Sequence, residues 1–254
     1  MDIALPKYAD SYNNYFFMKF TSKFQRQQDI LNGKLYFNEI DWFAKCENPG
    51  QGDLAEGKSL VENYSNPNYQ SLNIELFNGK AFLVQRDYSQ NPKEYKPSTV
   101  HYYSAAENRK VKIICFYTSF IDVEKSLIQE FPSNMKEEFG NYGVMILNRA
   151  EFFDRISRAF VAKPEYYSGY MGFVDYVDMQ PGINEWNPFK KDVTRFGYQN
   201  EFRIAFKVDN PGAITLDIGS IRDIAVPILA EDVDKIHFQD GKLNYPIYQQ
   251  CTKI

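Results

Sequence analysis

Residues Glu201-Phe202-Arg203-Ile204-Ala205-Phe206 alternate strictly, with Phe202, Ile204 and Phe206 on one face and charged or small side chains on the other. Successive side chains of an extended chain point to opposite faces, so a period of two commits this segment to a strand with one apolar face. An ordinary strand of this kind turns its Glu201/Arg203 face to solvent. The aromatic run Tyr15-Phe16-Phe17-Met18-Lys19-Phe20 also predicts a strand, one covered on both faces. The chain must therefore build a sheet around aromatic residues.

Further strands are expected at Leu35–Phe37, Leu72–Leu76, Ala81–Val84, Val111–Phe116, Tyr142–Leu147, Phe173–Val177, Ile214–Ile218 and Ile224–Ile228. Asn78-Gly79 marks a hairpin turn between two of them. Thr21 or Ser22 can cap a helix whose inner positions are Phe24, the stem of Gln28 and Leu31, with Gly33 as its stop. Asn148 with Glu151 resembles a capping box, followed by Phe152, Phe153, Ile156, Ala159 and Phe160 at helical spacing. Pro188–Phe196 suits a short helix. Residues 46–70 and 88–98 are rich in turn chemistry and read as loop-rich insertions. No repeat or linker interrupts the pattern, which predicts a single α+β domain over residues 1–254 with a mixed or antiparallel sheet.

Composition supports a packed fold. Trp 2, Tyr 19 and Phe 21 make up 17% of the chain, enough aromatic surface to form a core without disulfides or metal. Cys46, Cys115 and Cys251 are odd in number and far apart, and His101 and His237 are the only histidines. A disulfide framework and a Cys/His metal site are both disfavoured, and a reducing cytoplasmic location is expected. The formal net charge of −4 argues against general polyanion binding, while leaving room for a local basic groove. The N-terminus lacks a secretory pattern and no apolar stretch approaches membrane-span length, so no membrane association is expected.

The common catalytic signatures are missing: no GxxxxGK[ST], no GxGxxG, no GxSxG and no HExxH occurs. Gly50-Gln51-Gly52-Asp53 reads as a structural turn. What remains is Gln199-Asn200-Glu201 at the start of the alternating strand.

Here the chain resembles the ADP-ribosyltransferase superfamily, in which a Q-x-E or E-x-E element opens a core strand. The segment from Tyr15 to Thr21, a helix, and then Ile30-Leu31-Asn32-Gly33-Lys34-Leu35-Tyr36-Phe37 resembles the opening of DarT-like transferases and a related bacterial and phage family. Ile114-Cys115-Phe116-Tyr117-Thr118-Ser119 is similar to that family's central strand, and Glu201-Phe202-Arg203-Ile204 to its late Glu-x-Arg strand. The resemblance spans about residues 15–230 and implies a split-sheet ADP-ribosyltransferase-like fold.

By that resemblance Glu201 is the catalytic carboxylate and Gln199 positions the acceptor. Two residues apart, the pair would share one face of an extended chain. Cleavage between nicotinamide and ribose develops positive charge, which a fixed carboxylate stabilises. The resemblance further implies NAD as substrate, no metal, and an NAD site made from Lys19, Thr21 or Ser22 on the first strand with Tyr117 and Ser119 on the central one. Lys19 offers a diphosphate a point charge, not the bidentate fork of Arg. The implied setting is a bacterial toxin, phage or phage-defence system, with a nucleic-acid or protein acceptor and an antitoxin or defence partner. Gln at 199 disfavours an arginine acceptor. The alternative expectation is a non-catalytic binding protein on the same fold that recognises another protein.

Overall fold

The segment Val111–Asp122 forms a twelve-residue strand in which every residue except Cys115 is buried. Its apolar residues point both ways: Ile114 and Phe116 enter one core, Tyr117 and Ile121 another. A sheet covered on both faces needs strands that are nearly continuously apolar, which is how this run reads. The computed structural model describes residues 5–46, 109–178, 187–239 and 242–246, together with Gly52 and the backbone of strand segments at 60–63, 72–77, 80–85, 99–102 and 182–183.

The chain opens with β1 (Asn14–Thr21), α1 (Phe24–Leu31), β2 (Lys34–Glu39) and α2 (Ile40–Lys45). Next come β3 (Leu60–Asn63), β4 (Leu72–Phe77), β5 (Lys80–Gln85) and β6 (Thr99–Tyr102). The long strand is β7 (Val111–Asp122), followed by β8 (Leu127–Ile128), α3 (Met135–Phe139), β9 (Tyr142–Ile146) and α4 (Arg149–Val161). The remaining elements are β10 (Tyr166–Phe173), β11 (Asp175–Val177), β12 (Gly182–Ile183), β13 (Lys190–Asp192), α5 (Val193–Phe196), β14 (Glu201–Val208), β15 (Ile214–Asp217), β16 (Ala225–Leu229), β17 (His237–Gln239) and β18 (Lys242–Asn244). The chain is thus mixed α+β.

Nine strands form the main sheet, with the path β10-β14-β7-β1-β9-β16 and with β2, β15 and β8 attached beside it. All its pairings are antiparallel; the one parallel pairing described joins β11 to β13 in a small separate sheet. β4 and β5 pair with Phe77 opposite Lys80, while Asn78-Gly79 lies outside the described residues. The stretch read as loop-rich at 46–70 carries β3, and 88–98 lies outside the described residues.

The registers reveal a fork. β1 pairs with β7 only from Asn14 to Met18, where Met18 faces Tyr117. Beyond that point β1 continues against β9 as far as Thr21, whereas β7 continues against β14 from Tyr117 back to Val111. The sheet therefore divides at Met18/Tyr117, and Glu201 is the residue of β14 opposite Tyr117.

Aromatic rings fill the main core. Phe17 and Phe202 have centroids 4.5 Å apart, and Phe206 lies 4.9 Å from Phe37 and 4.7 Å from Phe160. Each such ring contributes about 1.5–3 kcal/mol by leaving water. α4 lies over this face with Phe152 and Ile156 fully buried, as its periodicity predicts. Asn148 caps it by accepting the Glu151 N–H at 3.1 Å. α1 differs from expectation. Its cap position is Lys23, with no side-chain cap, so neither Thr21 nor Ser22 caps it. Its inner face is Gln27, Ile30 and Leu31, while Phe24 is exposed. Gln27 is selected by its amide: Nε2 donates to Gly143 O at 2.6 Å and Ile228 O at 3.1 Å, clipping the helix to β9 and β16.

Candidate functional site

Glu201 opens β14 with only 6% of its surface exposed, and Arg203, two residues on, is 1% exposed. The pair is not the solvated strand face that alternation alone suggests. The second face of β14 is covered too, in part by the segment running from Asn187 to Phe196. An unpaired carboxylate there would be very costly, so partners are required.

The structure supplies them. Lys191 Nζ donates to Glu201 Oε1 at 2.7 Å, and Arg203 Nε donates to Glu201 Oε2 at 2.8 Å. Burial alone would push the Glu201 pKa up, but Arg203 and Lys191, by charge and by hydrogen bond, hold it well below the ordinary value. Glu201 is a fixed anion.

Lys191 Nζ also donates to Gln199 Oε1 at 2.9 Å and stands 4.5 Å from the centroid of the Phe196 ring. Gln199 and Glu201 thus aim their oxygens at one ammonium. Extended backbone is not the cause, contrary to the sequence expectation. Gln199 closes a 3-10 turn over Gly197–Gln199, and Asn200 follows in the left-handed region at φ 42°. That turn, not strand alternation, points both side chains the same way. Asn200 is held there by its amide, which donates to Gln129 Oε1 at 3.0 Å.

Tyrosine hydroxyls border the cluster. The Glu201 N–H donates to Tyr176 Oη at 2.9 Å. Gln199 Nε2 donates to Tyr198 Oη at 3.1 Å, and Tyr198 in turn donates to Glu138 on α3. Burial, followed by the Glu201 charge, raises the Tyr176 pKa well above its usual value, so this hydroxyl stays protonated.

The other residues singled out from sequence divide into two groups. Tyr117 is opposite Glu201 in the β7–β14 register, and its buried hydroxyl lies near Asn200 without a well-formed hydrogen bond. Lys19, on β1 just past the fork, is half-buried and within electrostatic reach of Glu201 and Cys115. Burial lowers its pKa, Arg26 adds to that, and Cys115 and Glu201 oppose it. Among the described residues no side chain or carbonyl bonds its ammonium. Tyr117, Gln199 and Glu201 therefore belong to one neighbourhood, and Lys19 is linked to it through charge alone.

Thr21, Ser22 and Ser119 do not join it. Thr21 is buried opposite Tyr142 of β9 and accepts from the Lys23 N–H at 3.4 Å, and Ser22 is exposed. Ser119 is buried opposite Phe16, on the closed side of the fork. Cys115 is opposite Arg203; burial, then the nearby Glu201, pushes its thiol up to about 12, which leaves it a poor nucleophile.

Lys191 and Tyr198 escaped sequence reasoning. Lys190-Lys191-Asp192 falls within the stretch expected to be a short helix but forms β13, the helix being confined to Val193–Phe196, and only tertiary packing puts Lys191 against residues eight and ten positions later. Among the described residues no group of three or more His, Cys, Asp or Glu side chains is gathered to hold a metal ion. No helix among them is long and apolar enough to cross a membrane. A hollow of about 390 Å³ lies elsewhere, lined by Arg155, Arg158, Asp217 and Ser220. Its most enclosed cation, Arg155, is already committed to Asp223 and Glu151. No family model, curated protein or solved structure matches the chain.

Proposed function

We propose that the chain is an NAD-dependent ADP-ribosyltransferase with an ADP-ribosyltransferase-like fold, acting on a nucleic-acid or protein acceptor within a bacterial toxin, phage or phage-defence system. The observation that carries this reading is the convergence of Gln199 Oε1 and Glu201 Oε1 on a single point, 2.9 and 2.7 Å from Lys191 Nζ, beside the fork of the sheet. A carboxylate kept ionised and oriented through Oε2 by Arg203 suits a reaction that develops positive charge on a ribose, because its Oε1 charge is already aimed once that oxygen faces the substrate. Gln199, two residues earlier and aimed the same way, would orient the acceptor. Lys19, whose ammonium is not engaged by a carboxylate at bonding distance, suits a phosphate oxygen. Tyr117, opposite Glu201, would wall the ribose end.

The test is release of nicotinamide from NAD, measured chromatographically, with labelled NAD tracing transfer to RNA, DNA and protein acceptors. Glu201→Gln, once shown to be folded by circular dichroism, is expected to lose about 10²–10³ in rate. A folded wild type that neither binds NAD nor releases nicotinamide would sink the enzyme reading.

One observation favours a second reading, a non-catalytic protein that recognises another protein. Glu201 is 6% exposed and both its oxygens are engaged, by Lys191 and by Arg203. Under this reading the cluster serves stability alone, and Glu201→Gln alters unfolding but no chemistry.

A further inference from the structure

The two cations on Glu201 are mounted differently. Arg203 belongs to β14, which pairs along its length with β7 on one side and β10 on the other. It cannot move without breaking the middle of the sheet. Lys191 belongs to β13, three residues long, whose described pairing is to the equally short β11, outside the main sheet. The two strands are joined further by the Asp175 N–H donating to Phe189 O at 2.7 Å.

The described hydrogen bonds from this small flap to the main sheet end on a few neighbouring residues. The Val174 N–H donates to Glu201 O at 2.9 Å, and Tyr176 Oη accepts from the Glu201 N–H. Lys191 reaches Glu201 Oε1, and Pro188 O accepts from Arg203 Nη1. Lys191 reaches Gln199 as well. Apolar contacts hold it as well: Val174, which leads into β11, is fully buried, the Tyr176 ring packs edge-on against Tyr8 with centroids 5.7 Å apart, and Phe189 is partly buried against Val111, Ile113 and Ala205. The polar part of this attachment ends on the very residues that the flap covers.

We infer that Lys191 is a latch: displacement of the β11–β13 flap withdraws its ammonium from Gln199 Oε1 and Glu201 Oε1 together, opening a site that is otherwise shut. Arg203 stays in place and keeps Glu201 oriented through Oε2. A ligand that presents a hydroxyl donor to Glu201 Oε1 takes over the bond that Lys191 gives up, so a polyhydroxylated sugar competes with the latch, whereas an apolar ligand does not. The inference deepens the transferase reading and rests on it for its functional meaning. Lys191 is a positioning residue in this scheme, since it acts through Glu201 and Gln199.

Two measurements test the latch without any enzymatic activity. In native-state hydrogen exchange on the unmodified protein, the amides of Asp175–Val177 and Lys190–Asp192 are expected to exchange at least about tenfold faster than those of Phe202 and Ile204, through a local opening. Equal protection, with exchange only on global unfolding, would overturn the latch. In carbodiimide labelling followed by mass spectrometry, Glu201 is expected to label slowly in the wild type and about tenfold faster in Lys191→Met, since loss of the bond favours the opened flap. Unchanged labelling in a folded Lys191→Met protein overturns the latch as well. A third measurement separates the two claims. Lys191→Met should lower the KM for NAD in nicotinamide release. If wild type and variant both release none, the transferase reading fails, while exchange and labelling still decide the latch.

Discussion

Gly33 and Gly219 meet backbone against backbone: a Cβ on Gly33 would stand 1.8 Å from the Gly219 carbonyl oxygen. Both residues have positive φ, 81° and 74°. Between them the end of α1 is joined to the chain leaving β15, where the Ile218 N–H donates to Gly33 O at 2.9 Å. The first forty residues are fastened to the last part of the domain at this point.

Gly33→Ala is therefore expected to cost more than conformational strain, at least about 2–3 kcal/mol, because backbone and not a flexible side chain must give way. Gly212 is the control. It has φ 88°, and a Cβ added there would meet nothing within 4 Å, so Gly212→Ala should cost only the strain, about 1–2 kcal/mol. Urea unfolding of the two variants distinguishes them, and equal midpoints would contradict the contact.

Glu201→Gln should also destabilise the fold. The substitution leaves Lys191 and Arg203 without their shared charge, and one end of the amide presents a donor to a donor. Removing one partner of a buried ion pair costs about 3–5 kcal/mol. Glu231→Gln removes the half-exposed pair with Lys136 and should leave the unfolding midpoint within error. Similar losses in both variants would mean that the Glu201 cluster is not buried as described.

Acid should expose the same cluster. The folded Glu201 carboxyl is held well below the ordinary value of 4.5, so the unfolded chain takes up that proton first as pH falls. Its contribution to stability is complete above about pH 5, begins to be lost as pH falls through the ordinary carboxylate range, and goes on being lost below it down to the depressed folded value, with a slope of at most about 1.4 kcal/mol per pH unit. Other carboxylates titrate in the same range, so the informative quantity is wild type minus Glu201→Gln. That difference should shrink between about pH 5 and pH 3; a difference that stays constant would contradict the depressed pKa.

The cap of α4 gives a smaller effect. Asn148→Ala removes the acceptor for the Glu151 N–H and should cost about 1 kcal/mol. Asn148→Ser should recover most of it. Thermal melts resolve the series, and an Asn148→Ala protein as stable as the wild type would show the cap to be incidental.

These cases also separate what the sequence makes legible from what it does not. Asn148 acts within a few residues of itself and Gly33 ends its own helix, so local chemistry announces both roles, while the contact of Gly33 with Gly219 has no local signal. The apolar face of β14 is equally plain, because its period of two leaves no other reading. The burial of Glu201 and Arg203 is not plain: it depends on Lys191 reaching back from β13, and no local rule encodes that contact. The orientation of Gln199 depends on a left-handed Asn200, which the tripeptide does not signal by itself. Hydroxyls favour the cap position, which points to Thr21 and Ser22 for α1, yet Thr21 is retained by β1 and pairs with β9.

The pairings of the first strands set a schedule for synthesis. β1 finds its partners at 111–122 and 142–146, β2 finds one at 214–217, and β16 closes the edge of the sheet at 225–229. At roughly 5–20 residues per second, a ribosome delivers the last of these strands on the order of ten seconds or more after the first. The aromatic N-terminal strand itself has no strand partner until 111–122 and 142–146 have emerged, about five seconds or more after it. The nascent chain must wait with Tyr15–Phe20 uncovered, which makes that segment the natural client of a chaperone and the first point at which overexpression should turn productive folding into aggregation.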